Sequence, residues 1–206
     1  MDAARAWLLA QSPWEWTAVV LALAYLLLAM RESLWCWYAA FASTLIYLAL
    51  FYRVDLLMES ALQVYYLAMA LYGWWAWRGG AQQQALPISR RAWHWHLAAL
   101  LGVLVASAVS GALLGRYTSA ARPWADSFVT WGSLLTTWMV TRKLLENWLW
   151  WLLIDSISLV IYVDRGLYPT ALLFLVYLVI VVFGFLKWKR HYREQQHAPT
   201  LAAHAG

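Results

Sequence analysis

The sequence predicts an all-α membrane protein, with seven transmembrane helices arranged as two parallel three-helix repeats joined by a connector helix (3+1+3). Three observations predict it. First, the 206 residues are 64% hydrophobic and only 12% charged, against about 25% charged in ordinary soluble domains. Second, apolar runs of spanning length alternate with short polar breaks. Third, the two halves of the chain match when shifted by 111 residues. The 17 Trp and 12 Tyr fit aromatic belts at the two membrane surfaces, and no polar stretch is long enough for a soluble domain.

The seven predicted spans are about 13–30, 34–52, 55–77, 93–114, 124–141, 145–163 and 167–186. Ser12-Pro13 supplies a cap and a first-turn proline for the first helix. Arg31-Glu32-Ser33 separates it from the second, and Arg53 with Asp55 marks the turn into the third. The longest loop runs from Arg78-Gly79-Gly80 to Arg90-Arg91. Gly115-Arg116 to Pro123 closes the fourth helix, Arg142-Lys143 the fifth, and Asp164-Arg165-Gly166 the sixth. The first repeat is thus 13–78, the loop and connector 79–121, the second repeat 122–190, and the remainder, 191–206, a cytoplasmic tail expected to be disordered beyond Arg193. Met1 to Gln11 lacks the pattern of a cleavable signal peptide.

Charge gives the predicted orientation. Ten Lys and Arg (Arg31, Arg78, Arg90, Arg91, Arg142, Lys143, Lys187, Lys189, Arg190, Arg193) fall on one side, and five (Arg5, Arg53, Arg116, Arg122, Arg165) on the other. The positive-inside rule then places the C-terminus in the cytoplasm and the N-terminus outside. The net charge of +5 therefore reads as topology and not as a nucleic-acid surface, and the single Cys36 excludes an intrachain disulfide.

Within the repeat, Tyr66-Leu67 falls on Tyr177-Leu178, Gly73 on Gly184, Trp77 on Trp188, Arg31 on Arg142, Leu34 on Leu145 and Trp37 on Trp148. A shift of 110 lays Pro13-Trp14 on Pro123-Trp124. An odd number of helices per copy needs one extra span to bring both copies into the same orientation, which is the role of the fourth helix. The copies differ where an asymmetric ligand would bind. Asn147 aligns with Cys36, Trp151 with Ala40 and Asp155 with Thr44, while Gln63 aligns with Phe174.

Asn147, Trp151 and Asp155 recur at intervals of four, so on a helix an amide, an indole and a carboxylate share one face. Polar groups at hydrocarbon depth are costly unless they face a bundle interior or a wet cavity. With Gln63, Tyr66 and Trp148 they form the candidate substrate-binding set. Each also fits a structural role: Asn147 a cap, Asp155 and Gln63 a bond between helices, the tryptophans interfacial anchors, Tyr66 packing shared with Tyr177. His94 and His96, two apart, fall on different helix faces and make a poor metal pair. No Ser or Cys nucleophile pairs with His inside the spans and no Walker loop occurs, so neither catalytic residues nor a metal nor a cofactor are assigned.

These residues carry a resemblance. Glu146-Asn147-Trp148-Leu149 with Trp151 and Asp155, Gly166-Leu167-Tyr168 with Thr170-Ala171-Leu172, and Tyr72-Gly73-Trp74 with Trp77 are similar to the PnuC-type nicotinamide riboside transporter family across roughly 13–190. The resemblance implies a SWEET-like fold in the bacterial inner membrane, facilitated diffusion of the riboside, trapping by a cytoplasmic riboside kinase on the way to NAD, and a homo-oligomer, a trimer. Pro169 stands where the family pattern has an aliphatic residue. Relatives that carry thiamine keep a second vitamin open as substrate.

Overall fold

The computed structural model describes residues 13–53, 57–79, 86–118, 122–164, 166 and 168–204. The predicted turn at Asp55, the chain before Pro13 and residues 80–85 of the long loop lie outside the described residues. Seven helices, and no strand, are present among the described residues: α1 Pro13–Met30, α2 Trp35–Arg53, α3 Leu57–Trp77, α4 Trp93–Tyr117, α5 Pro123–Thr141, α6 Asn147–Asp164 and α7 Tyr168–His204. The chain divides into two compact units between Ala85 and Leu86. Three stretches, Trp35–Arg53, Trp93–Tyr117 and Thr170–His197, are long and apolar enough by themselves to cross a membrane. The hydropathy of α5 and α6 is lowered by buried Ser, Thr, Asn and Asp side chains that an inward face can carry.

One boundary departs from the sequence reading. The last helix was expected to stop near residue 186 and to be followed by a disordered tail, yet α7 continues through the basic segment to His204. The segment Lys187-Trp188-Lys189-Arg190 holds no Gly or Pro to stop a helix, and Arg190 pairs with Glu194 one turn on, with Nε to Oε1 at 2.9 Å. Charge marks the edge of the membrane here without ending the helix.

In the first unit, α1 packs on α2 and α2 on α3. Ser43 of α2 donates to the Ala18 carbonyl of α1 at 2.8 Å, and Trp74 Nε1 of α3 donates to the Tyr38 hydroxyl of α2 at 2.9 Å. In the second unit, α4 packs on α5, α5 on α6 and α6 on α7. Small residues allow the close approaches. Gly111 of α4 faces the Trp124 ring, and Gly132 of α5 faces Ile154. Arg122 pairs with Asp164 where α5 begins and α6 ends.

The same local geometry occurs twice, 111 residues apart. At the end of α1, Glu32 has φ 55°, and at the end of α5 Lys143 has φ 48°. In each case this left-handed residue donates to the carbonyl three back (Ala29, Val140) and the next residue donates to the carbonyl five back (Leu28, Met139), all at 3.0 Å. These are Schellman turns, built here without the usual glycine. Beyond each turn a buried Trp lies across a glycine and edge-on to a second Trp. Trp37 lies against Gly73 and meets Trp77 with centroids 5.2 Å apart, and Trp148 lies against Gly184 and meets Trp188 at 5.4 Å.

Candidate functional site

The α5–α6 turn sets up the site. Segment 86–92 lies along it, with Ser89 N donating to the Lys143 carbonyl at 3.0 Å and Leu145 N donating to the Ser89 carbonyl at 2.9 Å. Glu146, buried, then collects donors from that segment. Its Oε1 accepts from Arg90 Nε at 2.9 Å, and its Oε2 is 3.4 Å from the Arg91 amide and 3.8 Å from His96 Nε2. Sequence spacing gives His96 no role beyond that of a poor metal partner for His94. The structure gives it a position between Glu146 and Trp150, whose Nε1 donates to His96 Nδ1 at 3.3 Å. A buried carboxylate is tolerable only with such partners. The arrangement pins the first residue of α6 in place.

That residue is Asn147, fully buried. Its backbone N and its Nδ2 both donate to the Leu144 carbonyl, at 3.1 and 2.6 Å, which fixes the amide plane. This is not the helix cap that sequence position suggests, because a cap accepts a first-turn backbone N–H through its side-chain oxygen. The other end, Oδ1, is buried and has no hydrogen-bond partner. An unmet buried acceptor costs about 1–3 kcal/mol, so it is kept where something else supplies the donor.

Asp155 lies two turns further along α6, about 12 Å up the axis at the usual helical rise. It is 5% exposed, and no hydrogen bond or ion pair engages it among the described residues. Half-buried Trp151 stands between them on the same face. Trp148, seven residues before Asp155 and so on nearly the same face of α6, is wedged between Gly184 and Trp188, with its Nε1 buried and unpartnered. Gln63 and Tyr66 are half-buried on α3 of the first unit, where Tyr66 meets Tyr65 edge-on at 5.7 Å. Within α6 the structure thus assembles Asn147, Trp151 and Asp155 as a polar, aromatic, polar ladder. Sequence reasoning passed over Ser127, whose hydroxyl on α5 is buried without a partner. The only signal for it was a run of small hydroxylated residues on α5, and Thr136 and Thr141 in that run bond to their own helix.

Such a ladder can hold a flat ring against an indole while its substituents meet an amide and a carboxylate. The chain is 27% identical over 173 residues to the riboflavin/roseoflavin transporter RibM of Streptomyces davaonensis, covering 82% of this chain and 81% of the relative. It is 27% identical over 194 residues to the nicotinamide riboside transporter PnuC of Escherichia coli, with the same coverage. The crystal structure of the vitamin B3 transporter PnuC superposes with a TM-score of 0.72 at 16% identity, covering 93% of this chain and 87% of that one, so the fold is shared. Residues 12–190, which run from the start of α1 into the basic segment of α7, match the family described as nicotinamide mononucleotide transporter, and this chain is a membrane transporter of that family.

Proposed function

We propose that this protein takes up nicotinamide riboside by facilitated diffusion. The observation that carries the reading is the buried, unpartnered Oδ1 of Asn147 on the same helix face as buried Asp155, with Trp151 between them. The pyridinium cation suits an indole face, the carboxamide can donate to Oδ1, and the ribose hydroxyls can donate to the carboxylate. Gln63, Tyr66 and Trp148 complete the proposed substrate-binding set. A phosphorylated riboside would bring its charge to a carboxylate, and the ladder has no Lys or Arg to receive it, which favours the riboside over the mononucleotide.

In this reading the two units form a 3+1+3 pseudo-repeat, supported by the matching Schellman turns and Trp-Gly-Trp contacts. The basic end of α7 lies in the cytoplasm of a bacterial cell, the protein is a homotrimer in the inner membrane, and a cytoplasmic riboside kinase traps the product for NAD synthesis. Uniport suffices because trapping keeps the inward gradient.

A second reading is riboflavin, favoured by the similarity to RibM. Its flat ring and polyol chain offer the ladder the same two kinds of group, without the cation. Thiamine, with a single hydroxyl, leaves more of the ladder unmet. The test is uptake of labelled nicotinamide riboside, riboflavin, thiamine and nicotinamide mononucleotide into proteoliposomes without any ion gradient. Riboside uptake insensitive to uncouplers is expected. Riboflavin uptake in its place moves the substrate to the second reading, and equal uptake of the mononucleotide contradicts the site.

A further inference from the structure

Two cavities meet beside Glu146, at the ends of α4, α6 and α7. The first, about 210 Å³, is lined by Arg90, Lys189, Tyr192 and Arg193 around Glu146, with Leu145, Leu149 and Phe185 as its walls. The second, about 320 Å³, is lined by Leu97, Leu100, Trp150 and Leu153 with His96 at its polar edge, and it shares Glu146 and Leu149 with the first. One is basic and the other apolar. Phe185, Lys189 and Arg193 repeat every four residues, so one face of α7 presents both cations.

Charge in the basic cavity is not balanced. Three cations meet one carboxylate, and that carboxylate is occupied by Arg90 Nε. The guanidinium retains its terminal N–H donors, and among the described residues no carboxylate pairs with Lys189 or Arg193. Lys189 rests its ammonium 5.6 Å above the Phe185 ring. The apolar annex opens outward: Leu97, Leu149 and Leu153 are 55%, 46% and 45% exposed, on helices that a bilayer surrounds.

We propose that this pair of cavities binds an anionic phospholipid, with the headgroup phosphate between Arg90, Lys189 and Arg193 and an acyl chain along Leu149, Leu153 and Leu97. Fork-like guanidinium donors and an ammonium match a phosphodiester, and Tyr192 is placed for a further hydrogen bond. A free phosphate compound would fill the basic half only. The topology proposed above puts this end at the cytoplasmic leaflet, where anionic lipid concentrates. The bound lipid would hold Arg90, and through Glu146 the start of α6, against α7.

The test is native mass spectrometry of the full chain titrated with phosphatidylglycerol, with phosphatidylcholine, and with phosphatidylglycerol in the presence of inorganic phosphate. Selective retention of phosphatidylglycerol is expected. It should weaken about thirtyfold in the double variant Lys189→Gln/Arg193→Gln, the loss of two surface cations. The double variant Lys187→Gln/Arg190→Gln removes the same charge from outside the cavity and should bind as the unmodified protein does. Equal retention of both lipids, or no lipid retained, overturns the proposal without reference to any variant. Displacement by an equal concentration of phosphate overturns the lipid assignment in favour of a soluble anion.

Discussion

Trp148 meets Trp188 edge-on, with ring centroids 5.4 Å apart and planes at 85°, and its flat face covers Gly184. This contact joins α6 to α7 beside the ladder of Asn147, Trp151 and Asp155. Edge-on aromatic pairs add about 0.5–1.5 kcal/mol beyond the area they bury. The contact therefore holds the face that carries the site, and Trp37 with Trp77 does the same for α2 and α3.

Gly184→Ala should destabilise the protein. A Cβ there would come 2.5 Å from the Trp148 ring, and α7 has no slack to give. Overpacking of this kind costs about 1–3 kcal/mol. Thermal unfolding in detergent should show a lower midpoint, while Gly102→Ala, with nothing within 4 Å of the new methyl, should leave it unchanged or higher.

Arg90→Ala should free segment 86–92 from the α5–α6 turn, because it strips the closest partner from a buried carboxylate. The expected cost is about 1–3 kcal/mol. Limited proteolysis between Gly79 and Trp93 should quicken. Adding Glu146→Gln should recover part of the loss by removing the buried charge, and a double variant as labile as the single one would argue against the carboxylate as the anchor.

Asp155→Asn separates the two candidate substrates. The amide keeps the size of the side chain and loses the charge. Affinity for the cationic riboside should fall about tenfold, since a hydrogen bond to a charged group is worth about 1.5–3 kcal/mol. Neutral riboflavin should lose less. Equal losses for both would mean that Asp155 meets only the hydroxyls the two ligands share, and no loss for either would mean that it serves the fold.

Orientation can be read from labelling. A cysteine placed at Lys187 in a Cys36→Ala background should react with an impermeant maleimide in inverted vesicles and not in intact cells. Labelling in intact cells would reverse the assignment made from the ten-to-five distribution of Lys and Arg.

Helix positions were legible because apolar runs and charged breaks coincide with the membrane's two surfaces, and six of the seven helices end within a few residues of the predicted limits. The last did not, because Lys187 to Arg193 signals the membrane edge and carries no backbone signal to stop. The turns after α1 and α5 were located but not their form, since Glu32 and Lys143 are residues that rarely adopt positive φ. The polar face of α6 was visible from spacing alone. What spacing could not reveal is that Asn147 spends its N–H donors on Leu144 and leaves Oδ1 unmet, or that Glu146 is engaged by Arg90 and His96 from fifty or more residues away. Those facts depend on where segment 86–92 comes to rest, and its short mixed sequence has no periodicity to place it.

The most direct test of the central claim is calorimetric titration of the purified protein and of Asn147→Ala with nicotinamide riboside. The unmodified protein should bind the riboside. The variant should keep its thermal midpoint within a few degrees and bind about tenfold more weakly or worse, the scale of one lost buried contact. Equal affinity in the two proteins would contradict the assignment of Asn147 Oδ1 as the acceptor that a ligand fills.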